Sequence, residues 1–167
     1  EARWLALEVG GAQVATVGRL SVSPGLTNVV PEEALLTTDL RNTDAAALQA
    51  ADRRLQAFAA EAAAAEGATV EIRPLARFAP VAFDPAMVDL VEATARRLGH
   101  SVKRMPSGAG HDAQMFAPHC PTAMVFVPSA GGISHNVTEH TEPAQLAAGA
   151  DVLLHAALEK AEVVSEG

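Results

Sequence analysis

Seven side chains that bind metals or move protons fall within thirty positions of the second half of the chain. They are His111, Asp112, His119, Cys120, His135, Glu139 and His140. Imidazole, thiolate and carboxylate groups coordinate metals and act as general acids or bases. The zinc pattern HExxH is absent, and His135 and His140 are five residues apart, which puts them on different faces of a helix. The residue types therefore indicate metal or proton chemistry, but the spacing does not fix which residues act together.

His111 and His135 stand out because each lies in a glycine-containing loop that flanks an apolar run, residues 122–129. This run predicts a strand covered on both faces, and ligands gather at strand ends in open α/β sheets. Residues 106–114, PSGAGHDAQ, also expose successive backbone N–H groups, which suit an oxyanion or a carboxylate. On spacing alone a structural interpretation stays open, in which each histidine is a hydrogen-bonded surface group and the glycine-rich loop is a tight turn.

The elements that must position these residues form two groups, and the first occupies residues 1–80. A helix ends at Gly10–Gly11, and an alanine-rich helix follows Asp44. High β propensity or alternation predicts strands over residues 12–23, 34–42 and 68–78, the last at a sheet edge because Pro74 cannot donate to a ladder. We therefore expect an α+β module in which two helices cover an antiparallel sheet.

A boundary falls in the proline-containing stretch FAPVAFDP, residues 78–85, and the second group occupies residues 81–167. Asp84 with Pro85 predicts the start of a helix that ends at Gly99. The pattern continues with a short helix from residue 111, the apolar strand and a last helix capped by Thr141. This alternation is typical of a piece of an α/β sheet, and it is too small to bury both faces of such a sheet alone.

Bulk composition excludes several classes of protein. The chain has 167 residues, 49% of them hydrophobic, and a net charge of −8, which would repel a phosphate backbone. We expect no nucleic-acid partner, and no membrane span because no apolar run is long enough. A single cysteine and the lack of a basic leader favour a cytoplasmic protein.

Four segments together resemble a known family. MPSGAGHDAQMFA, MVFVPSAGGISHNVTEHT, TVGRLSVSPGLTNVVPEEALLTTDLRN and LAAGADVLLHAAL, with their relative spacing, resemble the C-terminal part of the M20-type metal-dependent amidohydrolases. The closest branch contains N-carbamoyl-L-amino-acid hydrolase, allantoate amidohydrolase and β-ureidopropionase. The resemblance implies a lid domain that forms a homodimer and is inserted in an α/β catalytic domain. Residues 1–80 would be most of the lid, and residues 81–167 the end of the catalytic domain.

The resemblance also implies roles for five residues. His135 in GGISHN would be a metal ligand, although the family more often has proline where Val137 stands. Gly110 and His111 would contact the substrate and help to stabilise the tetrahedral intermediate.

Asn28 and Arg41 would bind the carboxylate of the substrate, and Asp39 on the same strand face could orient the guanidinium group. Without the resemblance, Asn28 would be taken as a turn residue and Arg41 as half of an exposed salt bridge.

The implied function is hydrolysis of the C–N bond of N-carbamoyl amino acids or allantoate-like ureido acids, with two divalent ions drawn from Zn, Mn, Co or Ni. The other ligands and the catalytic base would lie upstream of Glu1, so we expect the chain to be part of a longer enzyme and to be inactive alone. Two alternatives stay open: an M20 aminoacylase or dipeptidase, and a non-catalytic dimerisation module.

Overall fold

The computed structural model describes residues 1–161 and divides the chain into two units, Glu1–Pro80 and Val81–Gly167. The first unit contains four regular elements: helix α1 (Ala2–Val9), strand β1 (Val14–Ser23), strand β2 (Glu33–Arg41) and helix α2 (Ala45–Ala65). Gly10 and Gly11 both have positive φ, at 64° and 59°, which lets the chain leave α1 and turn into β1.

Strands β1 and β2 form an antiparallel ribbon in which Val14 lies opposite Arg41 and Ser23 lies opposite Glu33. The register shifts between Val17 and Arg19, so the ribbon carries an irregularity in the middle of β1. The predicted pair of strands is confirmed, and its register places Arg41 at the end of the ribbon beside the start of β1.

Helix α2 is confirmed close to its predicted limits. Alanine makes up most of its length and loses no side-chain entropy in a helix. The Asp44 carboxylate accepts a hydrogen bond of 2.7 Å from the Ala47 N–H, which satisfies one of the unpaired donors of the first turn. Leu5 of α1 and Ala51 of α2 are the buried apolar side chains of this unit, where the helices pack on each other and on the ribbon.

The strand predicted for residues 68–78 is wrong. In the part of the chain that the structure describes, the sheet has two strands, and residues 68–78 have no ladder partner. The alternating pattern shows only that one face could be buried, whereas a strand also needs a neighbouring backbone to bond. The segment is instead linked to α2 by an ion pair of 2.7 Å between Arg77 Nη2 and Asp52 Oδ2.

The second unit is built on a pair of packed helices. Its elements are α3 (Pro85–Arg97), the short α4 (Ala113–Phe116), a 3₁₀ turn (Ala130–Gly132) and α5 (Pro143–Lys160). Helix α3 starts as predicted, because Asp84 accepts a 2.8 Å bond from the Met87 N–H and Pro85 occupies the first turn. Helix α5 begins one residue later than expected, with Glu142 rather than Thr141 in the capping position.

The core of this unit lies between α3 and α5 and is made of small side chains. Among residues 81–161, the buried residues are Thr94 and Ala95 of α3 and Val152 and Ala156 of α5. None of the helices within residues 1–161 combines the length and the apolar character that crossing a bilayer needs.

The covered strand predicted for residues 122–129 is also wrong. No strand is formed there within the described residues, and residues 122–125 are only half-buried. Phe126 is 48% exposed. An apolar run indicates that a segment tends to be buried, but the described part of this unit has no adjacent strand to pair with it. The segment is nevertheless held: the Asp84 N–H donates to the Thr122 carbonyl at 3.1 Å.

Replacing Gly149 tests how closely α5 lies on this segment. An added Cβ would stand 2.4 Å from Cγ1 of Val127, so Gly149→Ala must displace a branched side chain. Alanine favours a helix by about 0.5–1 kcal/mol over glycine, whereas overpacking costs about 1–3 kcal/mol. We expect a net loss of about 1 kcal/mol in the free energy of unfolding, measured by urea denaturation.

The matched control is Gly149→Ala combined with Val127→Ala, because removing the valine methyl groups makes room for the new Cβ. Measured against Val127→Ala alone, Gly149→Ala should then lower the free energy of unfolding by less, or should raise it. A single Gly149→Ala variant that is more stable than the parent chain would contradict the close packing.

Candidate functional site

His135 has an unusual backbone conformation. Its φ is 57°, and it is the one non-glycine residue with positive φ among residues 1–161. Gly131 and Gly132, with φ of 64° and 68°, make the turn that precedes it. Histidine is one of the residue types that tolerate this region more often than most, but the conformation still has to be held by surrounding contacts.

Those contacts are polar bonds within the loop formed by residues 129–140. The Ala130 N–H donates to the His140 carbonyl at 2.8 Å and closes the base of the loop. The Ser129 hydroxyl donates to the Ile133 carbonyl. All side chains from 130 to 140 are exposed, including the imidazole of His135. The loop thus presents this ring to solvent without packing it against a core.

His111 is oriented by the first turn of α4. The Ala113 N–H donates to Nδ1 of His111 at 3.0 Å. A ring nitrogen that accepts a hydrogen bond carries no proton, so the neutral imidazole carries its proton on Nε2. Nε2–H is then available as a donor to a ligand.

A pocket of about 250 Å³ borders His111. Its other lining residues are Ala113, Ala123, Met124, Val125 and Leu153. Gly110, immediately before the histidine, lies against the Gln114 side chain, and a Cβ there would stand 3.5 Å from its Nε2. His111 therefore faces the beginning of the segment whose other end leads into the His135 loop.

The seven metal-binding or proton-moving residues do not converge in space. Among residues 1–161, no three His, Cys, Asp or Glu side chains are placed to share a metal ion. His140 instead lies 3.4 Å from Glu142, and Cys120 contacts the Phe116 carbonyl at 3.7 Å. His135 can be one ligand, but the described residues alone do not form a metal site.

Arg41 lies at the end of β2 and grips Asp39, two residues earlier on the same face of the strand. Its Nε is 3.1 Å from each oxygen of Asp39, and Nη2 is 2.5 Å from Oδ2. The hydrogen bond from Arg41 lowers the pKa of Asp39, partial burial opposes this effect, and the arginine charge adds to it. The pKa of Arg41 is raised mainly by the same hydrogen bond.

Asn28 is exposed in the turn that connects β1 and β2. It belongs to the first unit with Arg41, whereas Gly110, His111 and His135 belong to the second. The exposed salt bridge expected as the alternative for Arg41 is present, since the two side chains are 51% and 48% exposed. The substrate-binding roles of Asn28 and Arg41 stay predictions.

One contact went unrecognised in the sequence. The Glu139 carboxylate accepts a 2.7 Å hydrogen bond from the His135 N–H. The only sequence signal was a carboxylate four residues after a histidine that follows two glycines, and this pattern does not predict a backbone contact.

Comparison with known proteins places this geometry in a family. The model of peptidase family M20/M25/M40 matches residues 4–159. The chain belongs to this family. The M20-type resemblance of the sequence is thereby confirmed, and so is the α/β fold class, because solved M20-type amidases share the fold.

Several relatives of this M20 chain are named amidohydrolases. An N-carbamoyl-L-amino-acid amidohydrolase of Rhizobium meliloti is 41% identical over 160 residues, which are 96% of this chain and 38% of the relative. The allantoate amidohydrolase of Escherichia coli (strain K12) is 36% identical over 148 residues, 89% of this chain and 36% of the relative.

A solved amidase of the hydantoinase/carbamoylase family from Burkholderia vietnamiensis superposes with a TM-score of 0.89 at 42% identity. The match covers 95% of this chain and 38% of that one. The M20 chain thus spans less than two fifths of the length of these relatives.

The bond between Arg41 and Asp39 predicts an acid-side effect on Asp39. Because the folded pKa of Asp39 is lowered, the pair adds stability above about pH 4, the range of a free aspartate. That stability is lost as the pH falls through the folded pKa. For so exposed a pair it is less than about 1 kcal/mol. In Arg41→Gln, we expect an NMR titration to show the pKa of Asp39 rising to its ordinary range.

Arg73→Gln is the matched control, because Arg73 makes the same two-residue pair with Glu71 at 2.6 Å and should leave Asp39 unchanged. An Asp39 that titrates in the ordinary aspartate range in the parent chain would refute the bond.

The tautomer of His111 can be observed directly. At about pH 8.5, where a free imidazole is neutral, long-range ¹⁵N–¹H NMR should show the proton on Nε2. In the chain unfolded by urea this bond is lost, so the ring should return to a mixture of tautomers. A proton on Nδ1 in the parent chain would contradict the assigned bond.

Proposed function

We propose that this chain forms part of a metal-dependent hydrolase that cleaves the linear C–N bond of N-carbamoyl amino acids or allantoate-like ureido acids. One observation carries the proposal: the 41% identity to an N-carbamoyl-L-amino-acid amidohydrolase extends over 96% of this chain. The match therefore includes the loops that carry His111 and His135 as well as the ribbon that carries Arg41.

In this proposal the first unit, residues 1–80, is part of a lid that also forms a homodimer, and the second unit, residues 81–167, is the end of the catalytic domain. The division of the chain at Pro80 and Val81 supports this assignment.

Enzymes of family M20 generally bind divalent metals, and we assign one ligand to His135. Its exposed imidazole on a loop held by backbone bonds suits that role. The described residues do not complete a site, and in this proposal the remaining ligands come from other parts of the protein. We propose two ions, from among Zn, Mn, Co and Ni. When bound, such ions supply a water molecule of lowered pKa.

In this proposal, His111 and Gly110 contact the carbonyl group of the bond that is cleaved. Nε2–H of His111 is a donor already fixed by the bond from Ala113. A fixed donor stabilises the negative charge that develops on a carbonyl oxygen when a tetrahedral intermediate forms. Gly110 has no side chain of its own, and the space that a Cβ would take is bordered by the Gln114 side chain, so the proposed contact of Gly110 with the substrate is made by its backbone.

Arg41, with Asn28, binds the carboxylate end of the substrate. Asp39 holds Nε and Nη2 of the guanidinium group, and its lowered pKa keeps it ionised at neutral pH. The ion pair fixes the plane of the guanidinium, and a fixed plane favours the parallel bonds that a carboxylate accepts. A substrate carboxylate would therefore share the arginine with Asp39.

A second candidate, an aminoacylase or dipeptidase, is favoured by the description of the matched family as peptidases. The two candidates differ in the group attached to nitrogen. Ammonia release from N-carbamoyl amino acids and amino acid release from N-acyl amino acids, measured on the full-length gene product, separate them.

His135→Ala tests the ligand assignment. In the full-length gene product we expect metal content, measured by mass spectrometry, to fall more than tenfold, since even partners that only orient a ligand are worth about 10–100-fold in affinity. His119→Ala is the control, because His119 is exposed and lies outside the loop. Unchanged metal content in His135→Ala would remove the basis of the assignment.

The chain of 167 residues should show no turnover by itself. The described residues provide one of the proposed ligands and no complete metal site. Ammonia release from N-carbamoyl amino acids should equal that of buffer at every concentration of added Mn²⁺ or Zn²⁺. Turnover by the purified chain would show that it carries a complete site.

A further inference from the structure

The bond between Glu139 and the backbone of His135 is the contact in the 129–140 loop that acts directly on the conformation of His135. The His135 N–H donates to Glu139 Oε2 at 2.7 Å. Both residues are exposed, so side-chain packing contributes little to their arrangement. A left-handed conformation is unfavourable for a residue with a Cβ and persists only where surrounding contacts determine it.

The geometry of this bond explains why it can orient the side chain. The angle φ describes rotation about the N–Cα bond, which moves the Cβ relative to the N–H. The bond to Glu139 closes a ring that runs from the His135 N–H through the N–Cα bond of His135 and along the chain to the Glu139 carboxylate. Rotation about N–Cα would break this bond, so the closed ring restricts φ and with it the direction of the His135 side chain. The carboxylate holds the backbone and leaves both imidazole nitrogens available.

Glu139 can serve as a fixed point because its own backbone is anchored. Its N–H donates to the Asn136 carbonyl at 3.0 Å, and the next residue, His140, accepts the bond from Ala130 that closes the loop. The Asn136 side chain also accepts a 3.0 Å bond from the Thr138 N–H. The carboxylate thus projects from a hydrogen-bonded turn, residues 136–139, to the His135 N–H.

We propose that Glu139 is a positioning residue, which fixes φ of His135 and thereby aims its imidazole at the metal site. This inference rests on the proposed role of His135 as a ligand. It assigns Glu139 a function through the backbone and not as a ligand itself. Glutamine at this position keeps an oxygen acceptor of the same reach but loses the charge. It therefore distinguishes a role through the backbone hydrogen bond from a role of the charged carboxylate.

Hydrogen exchange of the His135 amide in the 167-residue chain tests whether the His135 N–H is bonded to Glu139. In the parent chain this exposed amide should be protected about tenfold, the lower end for a bond to a charged acceptor. Glu139→Ala should abolish the protection, and Glu139→Gln should keep most of it. Glu142→Ala is the matched control, because it removes a nearby carboxylate that contacts His140 and not His135.

Amides of α5 should exchange equally in all variants, which shows that each variant is folded. Unchanged exchange of the His135 amide in Glu139→Ala would overturn the inference.

Zinc affinity of the full-length gene product, measured by competition with a chelator, tests the consequence. We expect Glu139→Ala to weaken zinc binding about tenfold, as for other partners that orient a ligand. Glu139→Gln should weaken it less than threefold, and Glu142→Ala should have no effect. If Glu139→Gln is as damaging as Glu139→Ala, the carboxylate acts by its charge and the positioning role is wrong.

If His135→Ala abolishes zinc binding while Glu139→Ala preserves it, the inference fails and the proposed function stands. If His135→Ala itself leaves zinc binding unchanged, the proposed function fails and the positioning role falls with it. The exchange experiment separately decides whether Glu139 holds the backbone.

Discussion

The packing of helix α5 against the segment of residues 122–129 is the constraint on which the second unit depends. A glycine at position 149 leaves room for Val127, whose Cγ1 would otherwise meet a Cβ at 2.4 Å. The small buried residues of α3 and α5 let these helices approach closely. The segment runs from the His111 pocket to the loop of His135, so the position of α5 sets both ends of the candidate site within this unit.

In the loop that follows this segment, hydrogen bonds rather than side-chain packing hold the backbone. The loop of residues 129–140 has no buried side chain, yet its base is closed by a backbone bond and its histidine is held at positive φ. A site arranged in this way presents an imidazole to a neighbouring element without needing a core of its own. That arrangement suits a chain that provides one ligand to a centre completed elsewhere.

In the ribbon of the first unit, too, a polar contact orients a candidate binding group. Arg41 ends β2 with its guanidinium paired to Asp39, so the group that we propose to bind a substrate carboxylate is already oriented. Preorganised charge reduces the cost of ordering a long side chain on binding. An exposed salt bridge adds little stability, and its value here lies in the direction that it gives to the arginine.

Local chemistry in the sequence determined helices α2 and α3, because Asp44, Asp84 and Pro85 cap or start a helix within one turn of themselves and alanine favours helix. It also indicated the two paired strands, because their residues have high β propensity or alternate between two faces. Four segments in combination, among them the loops around His111 and His135, indicated the family. Only the tertiary structure decided that residues 68–78 and 122–129 are not strands, that Nδ1 of His111 is an acceptor and that Glu139 bonds the backbone of His135. Each of these depends on which groups meet in space, and an apolar or alternating pattern records a tendency to be covered without specifying the partner.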